Sequence, residues 1–239
     1  MTLDPRLSRR EMMAGAAALA AAAPASTLAA KALTAPAQAR ALGQEAVKGV
    51  VYESRSGAPQ RQAGEPGLPG VLVSNGRDAV RTAADGSYTL PVEEGGAVFV
   101  IKPAGFSVPL DTETKLPRFS YIHQPGGTPA SLDLLYPGLP PTGPLPPSLD
   151  FGLVRSKEPE RFDVLLFADP QPESHAEIDF IREDIVNGLI GTNAAFGITA
   201  GDIMFDDLSL YGRYNKIIGQ IGIPWWNIGG NHDLNFEAP

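Results

Sequence analysis

The sequence contains no cysteine and only three histidines, and both shortages narrow the chemistry that is open to it. Without cysteine, the chain cannot form a disulfide, a thiolate zinc site or a cysteine nucleophile. Lysine and arginine number 19 against 27 aspartate and glutamate, which gives a formal net charge of −8. No nucleic-acid surface is therefore expected, because phosphate backbones recruit positive side chains. A local metal centre can still bind phosphate within an acidic protein, so small phosphoester substrates are not excluded.

Long hydrophobic runs are also scarce, and the N-terminal one is too short to span a bilayer. Arg9 and Arg10 precede an alanine-rich run at 14–23, and residues 37–39 have the small-x-small form that a signal peptidase recognises. The paired arginines resemble a twin-arginine export signal. We therefore predict a signal peptide over 1–39, export by the twin-arginine machinery, a periplasmic or secreted product, and no transmembrane segment in the mature chain. A disordered alanine-rich leader is the alternative interpretation.

Glycine and proline are abundant, at 26 and 23 residues, and they are concentrated in the first 150 residues. Short apolar runs separated by turn pairs such as Asn75-Gly76 predict an antiparallel β-sandwich over 47–122. The amino-acid sequence of this stretch, from Gly67 to Tyr88, resembles that of the carboxypeptidase-regulatory-like, transthyretin-like modules. It contains no combination of acid, base and nucleophile, so we interpret it as a scaffold or binding module.

A segment rich in proline and glycine follows the predicted sandwich. Residues 123–160 are expected to be a linker that ends in a strand returning to the sandwich near 149–154. His123 opens this linker alone, and we expect it to be a solvated loop residue.

The pattern changes at residue 161 to apolar runs that alternate with helical periodicity. The runs at 162–168, 194–200 and 223–228 are nearly continuous, which is typical of strands buried on both faces. A capping box at Ser174 and a helical pattern near 208–221 lie between them. This alternation predicts parallel strands joined by helical crossovers over 161–239.

Each predicted strand ends in a cluster of polar residues. Because parallel strands place their carboxyl ends at one edge of the sheet, the three clusters are expected to meet there. The clusters are Asp169-Pro170-Gln171, Gly201-Asp202 and Gly230-Asn231-His232-Asp233.

These side chains suit a pair of divalent cations that binds a phosphoester. Asp202 is the natural bridging carboxylate, and Asp169 and Gln171 can both face one ion. Asn231 offers an oxygen to the other ion. His232 is then free to contact the substrate, with Asp233 to orient it; these two are the catalytic candidates.

The motifs Asp-x-Gln, Gly-Asp and Gly-Asn-His-Asp resemble the opening motifs of calcineurin-like metallophosphoesterases. The resemblance implies the double-sheet α/β/β/α fold and two metal ions, which can be Mn, Fe, Zn or Mg. It implies that Asp169, Asp202 and Asn231 are metal ligands and that His232 stabilises the transition state or protonates the leaving group. Gln171 stands where most members have histidine, so the first ion is expected to be held loosely or to be a harder one. Asp206 and Asp207 replace the family's usual aspartate after Gly-Asp, and we interpret them as charges at a helix N-terminus.

The family completes its site with further histidines from a second half of the sheet, which this sequence does not contain. His175 is not a plausible substitute, since it falls in the first turn of a predicted helix. We therefore expect a C-terminally truncated fragment that contains the first half of the α/β domain and performs little or no catalysis. The leading hypothesis is an exported hydrolase of phosphomono- or phosphodiesters. The alternative is a non-catalytic cell-envelope binding protein with a degenerate phosphoesterase segment.

Overall fold

Two four-stranded sheets occupy residues 45–155. The computed structural model describes residues 45–58 and 60–236, so the predicted signal peptide at 1–39 lies outside the described residues. The strands of this part, in chain order, are β1 (Glu45–Glu53), β2 (Leu72–Ser74), β3 (Ala79–Arg81), β4 (Ser87–Val92), β5 (Gly96–Ile101), β6 (Phe106–Ser107), β7 (Ser120–His123) and β8 (Phe151–Arg155).

The first sheet has the order β4-β1-β8-β6 and the second has the order β3-β2-β5-β7. The pairing is antiparallel except between β1 and β8, which run parallel. This pair departs from the expected all-antiparallel arrangement. The long segment before β8 allows it, because parallel neighbours need a long connection. Asp150 fixes the approach of β8, since its carboxylate accepts a hydrogen bond from the backbone N–H of Val50 at 2.9 Å.

One hydrophobic core is shared by the two sheets. Strand β4 alternates between half-buried and buried residues along its whole length, which is the period expected for a strand with one face on the core. The fully buried members come from both sheets and include Val51, Leu90, Leu153, Val73 and Val98.

His123 is not the solvated loop residue that the sequence suggested. It ends strand β7 and is only 4% exposed. Its ring stacks on that of Tyr121, with 6.2 Å between the centroids. Backbone pairing with Gly96 makes His123 part of the edge strand of the sheet, and this pairing depends on a strand that is distant in sequence.

Residues 164–228 form a three-stranded parallel sheet with helices. Its strands are β9 (Val164–Ala168), β10 (Phe196–Ala200) and β11 (Trp225–Ile228), in the order β11-β10-β9. Helix α1 (His175–Ile181) continues through a π-helical segment (Arg182–Val186) into α2 (Asn187–Leu189), and α3 (Tyr211–Gly219) follows β10. The predicted capping box is confirmed in part: Ser174 caps the helix by accepting a hydrogen bond from the backbone N–H of Glu177, but the Glu177 carboxylate accepts from the backbone N–H of Glu173 rather than from that of Ser174. Within the part of the chain that the structure describes, no helix is long and apolar enough to cross a membrane.

The helices and one face of this sheet share a second core. Trp225 is 1% exposed and donates its indole N–H to the Thr199 hydroxyl at 2.8 Å, so it is a core residue. Its ring also leaves no room for a side chain at position 197, where a Cβ would lie 2.0 Å from it. The other large buried residues of this core are Ile178, Ile203, Met204, Tyr214, Ile218 and Ile221.

The other face of the parallel sheet is mostly uncovered among the described residues, although Trp226 contacts Phe119 of the two-sheet part, with 5.2 Å between the ring centroids. Leu166 is 67% exposed and Ile228 is 56% exposed. Leu166 pairs with Ile198 in the middle of β10, and Ile228 pairs with Ala200 at its end. The expectation that these strands are buried on both faces is therefore wrong for the described part, because helices pack on one side only. An apolar face of this kind is normally covered.

A loop from the two-sheet part lies against the α/β part. The Asp111 carboxylate organises this loop by accepting hydrogen bonds from the backbone N–H groups of Glu113 and Thr114 and from Arg118. The loop carbonyl of Lys115 accepts a hydrogen bond from the backbone N–H of Trp225 at 3.2 Å. The Asp111 loop therefore fixes one end of β11.

We predict that two adjacent leucines of β9 respond oppositely to the same substitution. Leu165→Ser is expected to lower the free energy of unfolding by about 2–3 kcal/mol, because Leu165 packs on the helix-side core. Leu166→Ser is expected to change it by less than about 0.5 kcal/mol and to reduce binding of a hydrophobic dye. Urea titration and dye fluorescence measure the two effects. Equal destabilisation by both variants would show that the Leu166 face is covered.

We predict that Asp111 stabilises the fold in a pH-dependent way. The backbone N–H of Thr114, the Arg118 guanidinium and the backbone N–H of Glu113 lower the pKa of Asp111 below its ordinary value of 3.8. Its contribution is therefore present above that pH and is lost as the pH falls further. Asp111→Asn should cost about 2 kcal/mol at pH 7 and weaken the acid dependence below about pH 4. Asp163→Asn, at an exposed aspartate, is the control in urea titrations at several pH values.

Candidate functional site

The three polar clusters of the sequence follow strands whose ends lie in register. Ala200 pairs with Ala168 on one side and with Ile228 on the other. The loops that follow these residues therefore begin side by side at the carboxyl edge of the parallel sheet, as the sequence predicted.

Left-handed backbone is concentrated in two of these loops. Among the described residues other than glycine, six have a positive φ angle. Four of the six are Asp169 (φ 49°), Gln171 (φ 40°), Asp202 (φ 43°) and Asp206 (φ 61°). Such backbone costs about 1–2 kcal/mol per residue and clusters at functional sites.

Asp202 joins the three loops through both of its carboxylate oxygens. Oδ2 accepts a hydrogen bond from the Gln171 side-chain amide at 3.1 Å, and Oδ1 accepts one from the backbone N–H of His232 at 3.1 Å. Gly230 makes this approach possible, since a Cβ there would lie 2.1 Å from Oδ1 of Asp202. The glycine of the Gly-Asn-His-Asp motif is thus required by the close contact between two loops.

The Asp233 carboxylate was expected to orient His232, but its hydrogen bonds go to other groups. Its Oδ1 accepts hydrogen bonds from the backbone N–H of Met204 and from the Tyr211 hydroxyl, at 2.9 and 2.7 Å. Its Oδ2 accepts hydrogen bonds from the backbone N–H groups of Ile203 and Gly230, at 3.0 and 2.7 Å. With four donors, the carboxylate ties the loop after β10 to the loop after β11.

The same contacts set the ionisation of Asp233. Burial, the largest single influence, raises the pKa, but the backbone N–H groups of Gly230, Ile203 and Met204 together with the Tyr211 hydroxyl outweigh it. The net effect lowers the pKa of Asp233, so the side chain is an anion at neutral pH. Burial and the bond to Asp233 raise the pKa of Tyr211, which keeps its hydroxyl protonated as a donor.

His232 is oriented by Asp206. Its Nδ1 lies 2.9 Å from Oδ1 of Asp206, and its ring stacks on Phe205 with 4.7 Å between the centroids. The hydrogen bond to Asp206 raises the pKa of His232, because a neighbouring carboxylate favours the imidazolium. Since Nδ1 is bonded to Asp206, Nε2 is the ring nitrogen left for another partner.

Asp206 and Asp207 have different positions, although the sequence suggested one role for both. Asp207 does cap a helical turn, since its carboxylate accepts a hydrogen bond from the backbone N–H of Ser209 at 3.0 Å. Asp206 instead occupies a tight turn in which the backbone N–H of Asp207 donates to the carbonyl of Phe205 at 2.8 Å. This turn directs the Asp206 carboxylate to His232. The sequence signal was the aspartate displaced from its usual place after Gly-Asp.

Asp169 and Asn231 lie at the same edge of the sheet but make fewer contacts than Asp202 and Asp233. Both are exposed, and neither side chain has a hydrogen-bond partner among the described residues. His175 is also exposed, at the start of α1, which agrees with its interpretation as a surface residue.

The donor set suits a hard divalent cation. Asp169, Gln171, Asp202 and Asn231 supply two carboxylates and two amide oxygens, and oxygen ligands of this kind suit Mg or Mn. The contacts of Asp202 with Gln171 and with the His232 backbone direct its carboxylate toward the loops after β9 and β11. Across residues 45–58 and 60–236, however, no group of three or more His, Cys, Asp or Glu side chains is placed to hold a metal ion. The residues present fit an open oxygen-donor site rather than a closed two-ion centre.

We predict that Asp233 and Asp206 differ sharply in their effect on stability. Asp233→Ala leaves three backbone N–H groups and a hydroxyl without an acceptor, so it should lower the free energy of unfolding by about 2–4 kcal/mol. Asp206→Ala removes a half-exposed ion pair and should change it by less than about 1 kcal/mol. Urea titration at pH 7 measures both. A stable Asp233→Ala variant would contradict the structural role of this carboxylate.

The comparisons with known proteins agree with the resemblance of the motifs but fall on a different part of the chain. Residues 56–133 match the family model described as the N terminal of calcineurin-like phosphoesterase. The match covers strands β2 to β7 and precedes the strand-end loops. Comparison with curated proteins gives no match. A phosphoesterase N-terminal region is therefore supported independently of the residues that form the candidate site, and the mixed α/β architecture is compatible with a phosphoesterase domain.

Proposed function

We propose that this chain contains part of the active site of an exported, metal-dependent hydrolase of phosphomono- or phosphodiesters. The observation that carries the proposal is the contact network around Asp202. This carboxylate meets Gln171 from one strand-end loop and the His232 backbone from another. The strained backbone at Asp169, Gln171 and Asp202 supports it, because strain of this kind persists where function requires a fixed geometry.

The metal ligands in this proposal are Asp169, Gln171, Asp202 and Asn231. A divalent cation held by these residues would supply an activated water and neutralise charge on the phosphoester oxygens. Gln171 contributes a neutral donor, so the negative charge that faces the cation would come from the two aspartates. A hard cation such as Mn²⁺ is the expected occupant.

His232 holds the proton in this proposal. Asp206 accepts from Nδ1 and raises the pKa of His232, so the imidazolium persists to a higher pH than it does in an unperturbed histidine. Nε2 then carries a proton that can pass to the leaving-group oxygen. Phe205 keeps the ring in its plane by stacking, and Asp233 holds the loop that presents His232.

The remaining parts of the proposal concern export and the two-sheet part. The arginine pair and the alanine-rich run support a twin-arginine signal peptide and a periplasmic or secreted location. The two sheets that share one core support a β-sandwich module before the α/β domain. The substrate is expected to be a small phosphoester, since the net charge of −8 disfavours nucleic acid.

We predict that the chain binds Mn²⁺ and that binding depends on Asp202. Asp202→Ala should weaken Mn²⁺ binding by at least about tenfold, because a charged ligand contributes more than about 1.4 kcal/mol. Asp163→Ala is the matched control, since Asp163 directly precedes the opposite end of β9 and is exposed. His232→Ala should retain Mn²⁺ binding. Electron paramagnetic resonance of free Mn²⁺ measures these affinities.

Any hydrolysis of bis(p-nitrophenyl) phosphate above the buffer rate is expected to be lost in Asp202→Ala and in His232→Ala. Mn²⁺ binding that is equally strong in Asp202→Ala would refute the metal site. A complete lack of Mn²⁺ binding would instead favour the non-catalytic binding protein.

A further inference from the structure

A cavity of about 450 Å³ lies between the two-sheet part and the starts of the parallel strands. The two-sheet part lines it with residues of β6 and of the Asp111 loop, and the α/β part lines it with residues at or just before the starts of β9, β10 and β11. The candidate metal site lies at the other end of these strands. Since β10 is five residues long, the two places are about 16 Å apart along the sheet.

The walls of the cavity are mainly apolar and aromatic. Phe106 lines it from β6, and Phe162, Phe196 and Trp226 line it from the α/β part. The rings of Phe162 and Phe196 have their centroids 5.9 Å apart. Small-molecule sites have this composition, with volumes of roughly 300–1,000 Å³ and a few polar groups that orient the ligand. The walls therefore suit the flat apolar body of a small ligand.

Contacts within the chain hold the walls in place without a ligand. The Asp111 loop is closed where Leu110 pairs with Pro117, and both of these residues line the cavity. The Trp226 ring lies against Phe119 of the two-sheet part, with 5.2 Å between the centroids. Because the cavity is already formed, a ligand would not have to order its walls, which lowers the cost of binding.

Three charged residues line the cavity, and one of them is left for a ligand. Lys102 and Glu158 form an ion pair with each other. The ammonium group of Lys157 has no hydrogen-bond or ion-pair partner among the described residues, and neither has the hydroxyl of the adjacent Ser156. The cavity thus has one excess positive charge and a second free donor. Charge complementarity favours a ligand that carries an anionic group.

We propose that this cavity binds a small molecule with a flat apolar body and one carboxylate or sulfonate group. The body would lie among the aromatic rings, and Lys157 and the Ser156 hydroxyl would donate hydrogen bonds to the acidic group. The volume suits one small ligand, whereas a stable protein partner requires a surface of about 1,000 Å² or more. The site shares no residue with the proposed metal centre, so it does not depend on the proposed function.

The two tryptophans of the chain are separate reporters of binding. Trp226 lines the cavity, whereas the indole N–H of Trp225 is bonded to Thr199 in the helix-side core. The ¹H–¹⁵N indole signals of the whole chain are followed in metal-free buffer during titration with naphthalene-2-carboxylate or with the neutral naphthalene-2-carboxamide. Trp226→Phe assigns the signals. We expect the carboxylate to shift the Trp226 signal to saturation, to leave the Trp225 signal in place, and to bind about three- to fivefold more tightly than the amide.

Two variants with matched controls test the two parts of the site. Lys157→Gln should weaken binding of the carboxylate by about three- to fivefold, as expected for a partly exposed ion pair, and leave binding of the amide unchanged. Lys48→Gln, at an exposed lysine of β1 outside the cavity, should change neither. Phe162→Ala should weaken both ligands by about fivefold, because an aromatic contact is lost. Phe180→Ala is its control, since Phe180 of α1 is 61% exposed and does not line the cavity.

Four results would overturn the proposal. One is a Trp226 signal that neither ligand shifts, and another is equal affinity of the wild type for the carboxylate and the amide. Equal weakening by Phe162→Ala and Phe180→Ala would place the ligands elsewhere on the protein. A Trp226 signal that changes with protein concentration in the absence of ligand would assign the cavity to a second copy of the chain. None of these results bears on Mn²⁺ binding.

Discussion

The arrangement of the candidate site depends on the Asp233 carboxylate. This side chain collects backbone N–H groups from Ile203, Met204 and Gly230, which belong to two loops that the sheet alone only places side by side. Charged hydrogen bonds of this kind are roughly twice as strong as neutral ones. Because the loop after β11 is held in this way, the His232 backbone reaches Asp202 and the His232 ring reaches Asp206. A carboxylate that sequence motifs place beside a histidine thus acts mainly on the backbone.

The sequence predicted the edge at which the site lies, and the physical reason is the regularity of parallel sheets. Continuous apolar runs ending at Asp169, Gly201 and Gly229 identify strands, and helices between them require parallel pairing. Parallel pairing places the polar ends together without further information. The capping of α1 by Ser174 and the burial of Trp225 were predictable for the same reason, since local spacing and strand position determine them.

Other features depended on contacts that no local pattern contains. Asp206 reaches His232 through a turn with positive φ, and a pattern of residue types does not specify such a turn. His123 became buried because β7 pairs with β5. The uncovered face of β9 was not predictable from its apolar run, since the run is the same whether one face or both faces are covered.

The positive φ angles of Asp169, Gln171 and Asp202 favour a functional explanation of the strand-end loops over a purely structural one. If Asp169, Gln171 and Asp202 served only to cap or turn the chain, glycine would give the same turn without the cost of left-handed backbone. Aspartate tolerates this conformation better than most residues, but glutamine has no such advantage. The Gln171 side-chain amide donates a hydrogen bond to Asp202, and the Asp169 carboxylate accepts none from the described residues. Side chains held at this cost, with acceptor oxygens still available, support the cation site that we propose between these loops.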